Sequence, residues 1–298
     1  MVKKRVKSAL VNALKIAISA LAVWFVLSKI NIGQLKTAFA DVRWIYLVVA
    51  TIFFAASKAV SAVRLNIYFR NVDVELSERD NLKLYLLGMF YNLFLPGGIG
   101  GDGYKVWLLH REGGYSFKRL TFAVLLDRVN GMIAIVLLML LTIFFMPVFG
   151  PARFASPLVM LILLVGYAIA VRHMFPYFSG SVGITTNLSV GVQLLQVLSV
   201  LFIMAAVQLH GRYIDMVFIF MVSSVVAVLP FTIGGVGARE IVFLYGSAFF
   251  GINPTVSVVV SFIFFLITAT VSLVGIYYSI GTLHITLKNI SHEESPNT

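Results

Sequence analysis

The chain contains no cysteine, which excludes disulfides, thiolate metal sites and cysteine nucleophiles. Charge is the second scarcity. Asp, Glu, Lys and Arg together make up 12% of the residues, roughly half the share of a soluble globular domain. A chain with so little charge cannot cover itself with polar surface, so no soluble domain of any size is expected in it. Histidine is sparse too: His110, His173, His210, His284 and His292 fall near expected helix ends without ligand spacing, and neither a metal site nor a cofactor is expected. No His or clustered-carboxylate constellation suggests catalysis, so the chain is read as a non-enzyme.

What the sequence has in quantity is apolar length. Hydrophobic residues make up 60% of it, and a hydrocarbon layer of about 30 Å is crossed by about 20 helical residues. Six segments meet that requirement, at about 9–27, 44–64, 119–146, 156–172, 187–209 and 255–284. Two further apolar stretches, 82–95 and 214–229, each stop at Leu-Pro followed by glycines and resume as short apolar helices at about 103–109 and 238–250. Their incoming arms are only about 21 to 24 Å long at 1.5 Å per residue, too short to span, and they read as broken helices. The formal charge of +11 is spread over the ends of apolar segments, which is a topology signal and not a nucleic-acid patch. Lys3, Lys4, Arg5 and Lys7 precede the first apolar run in the manner of a signal peptide, but Asn12 and Lys15 interrupt its core and the run continues through Trp24, Phe25 and Leu27. An uncleaved anchor is therefore expected.

The two breaks are copies of one motif. Leu95-Pro96-Gly97-Gly98-Ile99-Gly100-Gly101-Asp102-Gly103-Tyr104-Lys105 aligns without gaps to Leu229-Pro230-Phe231-Thr232-Ile233-Gly234-Gly235-Val236-Gly237-Ala238-Arg239. The Leu, the Pro, the Ile and three glycines coincide, and the last position is basic in both. The offset of 134 residues also carries the span at 119–146 onto 253–280, and the span at 44–64 falls approximately on the one starting at 187. This predicts two repeats, at 1–149 and 150–287, with a short polar tail at 288–298. If each broken segment is re-entrant, three true spans separate them and the copies are inverted. If each is a kinked full span, the copies are parallel. The positive-inside rule favours inversion, with about 13 basic residues inside against 5 outside, compared with about 11 against 7. Both termini are then cytoplasmic. The expected fold is an all-α polytopic membrane protein of about six transmembrane helices plus two re-entrant broken-helix hairpins.

A glycine-rich break at membrane depth must line a cavity or be buried in protein, because unpaired backbone groups cannot face lipid. A helix that restarts there points its free N–H groups and positive dipole end into that space, which suits an anion. Pro96 and Pro230 end the incoming arms, and Gly97, Gly98, Gly100, Gly101, Gly234, Gly235 and Gly237 allow the turn and a close approach to a ligand. Charged residues inside apolar segments are costly and face polar cavities. They are Lys58 and Arg64, Asp102 and Lys105, Asp127 and Arg128, and Arg239 and Glu240. Five basic groups against three acidic ones leave a deficit that a phosphate would complete. Ser57, Ser61 and Arg64 share one helical face, with Lys58 beside it.

Blander readings stand beside these. The glycine loops also suit tight helix packing. Asp102 and Lys105, three residues apart, either pair with each other or meet a ligand. Asp127 and Arg128 are neighbours that face apart, so each needs another partner. Glu240 serves either its own helix dipole and Arg239 or a proton. Lys58 and Arg64 have stems long enough to snorkel. Gly98 to Gly103 fits the G-x-G-x-x-G fingerprint, but apolar helices flank it where a βαβ unit would be needed.

Asn92 through Asp102, then Asp127-Arg128-Val129-Asn130-Gly131, then Leu229 through Glu240 resemble the lysylphosphatidylglycerol synthase transmembrane region family. That family includes the flippase half of the multiple peptide resistance factors. The resemblance covers nearly the whole chain. It implies a multi-pass plasma-membrane protein that moves or handles a phospholipid or polyprenyl-phosphate lipid. Its partner is then an anionic or phosphate-bearing lipid, and the residues named above, Asn92 included, line the substrate site. The soluble aminoacyl-transferase domain that would follow the last span is absent from the sequence, so lipid aminoacylation is not expected. The alternative is an accessory subunit that presents lipid to a separate lipid-modifying enzyme.

Overall fold

A computed structural model describes residues 42–94, 99–228 and 237–280. The expected anchor at 9–27, the polar tail, and loop residues Pro96, Gly97, Gly98, Pro230, Gly234 and Gly235 lie outside the described residues. Among those described, every regular element is helical. In chain order they are α1 (Trp44–Arg70), α2 (Glu78–Phe94), α3 (Gly100–Gly113), α4 (Phe117–Phe144), α5 (Ser156–Met174), α6 (Val182–Ala206), α7 (Tyr213–Val228), α8 (Ala238–Phe249), α9 (Pro254–Leu273) and α10 (Ile276–Ile280). Short 3-10 segments, Pro147–Ala155 and Pro176–Ser181, lead into α5 and α6.

Five helical stretches are long and apolar enough to cross a membrane: Trp44–Arg70, Phe117–Phe144, Pro147–Met174, Pro176–Ala206 and Pro254–Ser279. They coincide with the five expected spans that fall on described residues, and the chain is a multi-pass helical membrane protein. Apolar side chains are abundant on the outside, as at Trp44, Ile45, Ile52, Leu158, Ile162 and Phe262. That arrangement is stable only with hydrocarbon as solvent. The last expected span is interrupted near Gly275, where α9 gives way to α10.

Local sequence sets the helix ends. Ser77 caps α2, its Oγ accepting from Asp80 N at 3.1 Å. Asn253 caps α9 by accepting from Thr255 N and Val256 N, with Pro254 in the first turn where its missing N–H costs nothing. Asn81 Nδ2 donates to Ala62 O at 2.6 Å and ties the start of α2 to α1.

Directions follow from contacts. Along α1, Arg43, Ala50, Arg64 and Tyr68 meet Ala206, Ser199, Ser189 and Thr185 of α6 in turn. As one number rises the other falls, so α1 and α6 are antiparallel. Small polar residues of α6 stand at the contact: Ser199 Oγ donates to Ala50 O at 2.9 Å, and Ser189 Oγ accepts from Arg64 at 2.7 Å. The chain doubles back between α2 and α3. A Cβ on Gly101 would stand 1.8 Å from Gly88 O, whereas a continuous helix would hold these residues about 20 Å apart. α7 and α8 pack together in the same manner, with Gly246 against Ile219.

Two apolar cores hold the bundle. One gathers Ala50, Phe54, Ile135, Val200, Phe220, Phe243 and Phe264. The other gathers Leu65, Tyr68, Leu84, Leu109, Leu120, Val124 and Phe178. Helices α1 and α4 contribute to both, and the stretches between, Ser57 to Arg64 and Asp127 to Gly131, are polar. A polar layer is therefore clamped between two hydrophobic ones.

Candidate functional site

On α1 the hydroxyls are satisfied within the helix. Ser57 Oγ donates to Phe54 O at 2.6 Å and Ser61 Oγ to Ser57 O at 2.9 Å. Arg64 does not snorkel. Its Nε donates to Asp127 Oδ1 at 2.7 Å and its guanidinium also donates to Ser189 Oγ at 2.7 Å, pinning α1, α4 and α6 at one level. Both members of the pair are buried, and burial at this depth is tolerable only because the charges are matched and hydrogen-bonded.

The first hairpin is built by glycine and asparagine. Gly88 and Gly101 sit so close that no side chain fits between the two backbones. Asn92 Oδ1 accepts from Gly101 N at 2.8 Å, which satisfies one of the orphan donors at the start of α3. This cap is why α3 begins at Gly100, three residues before the expected start. Asp102 accepts from Lys105 Nζ at 3.0 Å and from Arg128 Nε. Lys105 crosses over Gly88, and its ammonium lies 4.5 Å from the Tyr85 ring centroid. Asp102 and Lys105 pair with each other, with Arg128 as the third member.

The second break is wired differently. Gly237 has φ +85, a left-handed value that suits glycine, and its N–H donates to Glu240 Oε2 at 2.7 Å. Ser261 Oγ of α9 donates to the other carboxylate oxygen at 3.0 Å. Glu240 thus caps its own helix and anchors it to α9. Arg239 turns the other way, with its guanidinium 5.2 Å from the Phe264 ring centroid and 6.0 Å from that of Phe220.

These side chains converge on a cavity of about 260 Å³. Lys58, Arg64, Asn92, Asp102, Lys105, Asp127, Arg128 and Arg239, drawn from five helices, all line it. Glu240, Gly100 and Gly101 do not line it. Five cations face two carboxylates. Arg64 is taken by Asp127, and Lys105 and Arg128 share Asp102. Lys58 and Arg239 have no carboxylate partner among the described residues. Their cation contacts are with aromatic faces, Phe54 at 4.6 Å for Lys58 and the two phenylalanines above for Arg239.

The lining also holds residues that sequence reasoning passed over: Tyr85, Gln193, Gln196 and Ser224. A signal for two of them was present. Thr185, Ser189, Gln193 and Gln196 fall at spacings of four, four and three along an otherwise apolar span, which puts polar groups on one helical face. Tyr85 carries no such signal, because a single tyrosine in an apolar helix reads equally as core.

A family model described as Lysylphosphatidylglycerol synthase TM region matches residues 12–179 and 177–275. No curated protein matches the chain.

Proposed function

The chain belongs to the lysylphosphatidylglycerol synthase transmembrane region family, and from that premise we propose that it is a plasma-membrane lipid transporter of the flippase kind, handling a phosphate-bearing lipid. The observation that carries the reading is the pair Lys58 and Arg239, two cations on the wall of a mid-bundle cavity that stand against aromatic faces and form no ion pair among the described residues. Unmatched charge at such depth is costly, and a bound phosphate would offset that cost by accepting from both. The remaining charges are committed to one another and give the cavity a fixed shape.

The transport step rests on inverted repeats with discontinuous helices, which supply two alternative packings around one site. The antiparallel course of α1 and α6 supports inversion. With the first hairpin re-entrant, the passages α1, α4, α5 and α6 alternate and leave α1 and α6 opposed, whereas a kinked full span would leave them parallel. The 134-residue offset supports the duplication, since it carries Glu78–Phe94 onto 212–228, where α7 spans Tyr213–Val228. In this topology both termini are cytoplasmic.

The test is a headgroup-accessibility assay on liposomes reconstituted with the purified chain, using a fluorescent anionic phospholipid and a membrane-impermeant quencher. Transport moves the protected inner-leaflet fraction to the outside faster than in protein-free liposomes. Tight lipid binding with no such movement would instead favour the presenting-subunit alternative.

A further inference from the structure

Two atoms on the cavity's neutral wall are out of place for a helical membrane protein. Gln193 Oε1 on α6 and Ser224 Oγ on α7 are buried and have no hydrogen-bond partner among the described residues, and each residue is only 5% exposed. Serines in these helices ordinarily return their hydroxyl to a backbone carbonyl, as Ser57, Ser61, Ser189, Ser223 and Ser247 do. Ser224 does not, although its neighbour Ser223 does. A polar group left bare in a low-dielectric interior is destabilising, and both residues line the one cavity that also holds Lys58 and Arg239.

Building on the phosphate reading above, we propose that the cavity selects a phosphodiester lipid whose headgroup is uncharged and carries a hydroxyl, and disfavours headgroups that carry an ammonium. The phosphate lies against Lys58 and Arg239, and the headgroup hydroxyl reaches Gln193 and Ser224. A hydroxyl both donates and accepts, so it satisfies the glutamine oxygen and the serine together. An ammonium meets, among the described residues, two lining carboxylates that are already paired: Asp102 accepts from Lys105 and Arg128, and Asp127 from Arg64. It would also enter a wall where cations outnumber carboxylates five to two.

The experiment measures binding of three lipids to the full chain in phosphatidylcholine nanodiscs. Phosphatidylglycerol and phosphatidylmethanol carry the same single negative charge, and only the first has headgroup hydroxyls; lysylphosphatidylglycerol adds ammonium groups. The parent should bind phosphatidylglycerol about five- to tenfold more tightly than phosphatidylmethanol, the equivalent of about one neutral hydrogen bond, and lysylphosphatidylglycerol more weakly than phosphatidylglycerol. Ser224→Ala and Gln193→Leu should each bring the phosphatidylglycerol to phosphatidylmethanol ratio toward one. Their thermal midpoints should stay level or rise, because each removes an unsatisfied buried atom; a structural role would lower the midpoint and leave the ratio in place. Equal binding of phosphatidylglycerol and phosphatidylmethanol by the parent, or a preference for lysylphosphatidylglycerol, overturns the inference alone. Failure of all three to exceed phosphatidylcholine, which shares the phosphate without net charge, also overturns the inference; failure of phosphatidylcholine itself to exceed the phosphate-free digalactosyldiacylglycerol overturns the phosphate reading beneath it.

Discussion

Arg239→Gln separates a ligand-binding cation from a structural one. The guanidinium has two aromatic faces as partners, 5.2 and 6.0 Å away, worth about 0.5–2 kcal/mol together at a partly desolvated site. Against that loss stands the relief of no longer holding a half-buried charge that forms no ion pair among the described residues; a fully buried ion costs several kcal/mol, and a half-buried one less. The two offset, and the unfolding midpoint in detergent should hold or rise. Binding should change far more. A charge-assisted contact to phosphate is worth about 1.5–3 kcal/mol, so affinity for an anionic phospholipid should fall by about ten- to a hundredfold. Asp127→Asn is the contrast. It strips Arg64 of a 2.7 Å partner in a buried pair, which should lower stability by about 3–5 kcal/mol. The readouts are lipid affinity in nanodiscs and the thermal midpoint from fluorescence-detected size exclusion. If Arg239→Gln binds anionic lipid like the parent but unfolds as readily as Asp127→Asn, Arg239 is a structural residue and the phosphate site lies elsewhere.

Lys105→Gln should behave between these extremes, because its ammonium is shared with Asp102 and the Tyr85 ring. It should lose stability more than Arg239→Gln does, and a midpoint unchanged while binding collapses would assign it to the ligand directly. Gly101→Ala places a methyl 1.8 Å from the Gly88 carbonyl oxygen. Backbone cannot yield there, so destabilisation of about 1–3 kcal/mol or more is expected, and a parental midpoint would refute the close hairpin contact. Since the chain has no native cysteine, Ser116→Cys is a single-site topology reporter on an exposed loop. It should resist an impermeant maleimide on intact cells and react after lysis, and labelling from outside would sink the inverted topology. Glu240→Gln keeps an acceptor for Gly237 N and should transport lipid at a near-parental rate; loss of transport with normal folding would make Glu240 a proton carrier.

The sequence alone determined the solvent, the element types and the charged inventory of the site. Five spans, both broken segments and the eight polar and charged lining residues from Lys58 to Arg239 were legible because lipid leaves few options: a long apolar run must be a helix, and a charge inside one must face something polar. What it left open was partner choice. Asp102 and Lys105 were compatible with a ligand or with each other, and Glu240 with a proton or a cap, since spacing along one helix says nothing about what a neighbouring helix brings. Tertiary packing supplies the partners. The Gly88–Gly101 contact delivers Lys105 to Asp102, α4 adds Arg128 to the same carboxylate, and α9 delivers Ser261 to Glu240. Only after those pairings does the remainder become visible: among the described residues Lys58 and Arg239 form no ion pair, and Gln193 and Ser224 each hold a polar atom without a hydrogen-bond partner. The reason is physical: a charge's availability depends on which other charges lie within a few ångströms, and in this chain the partner comes from up to 63 positions away in sequence, as with Arg64 and Asp127.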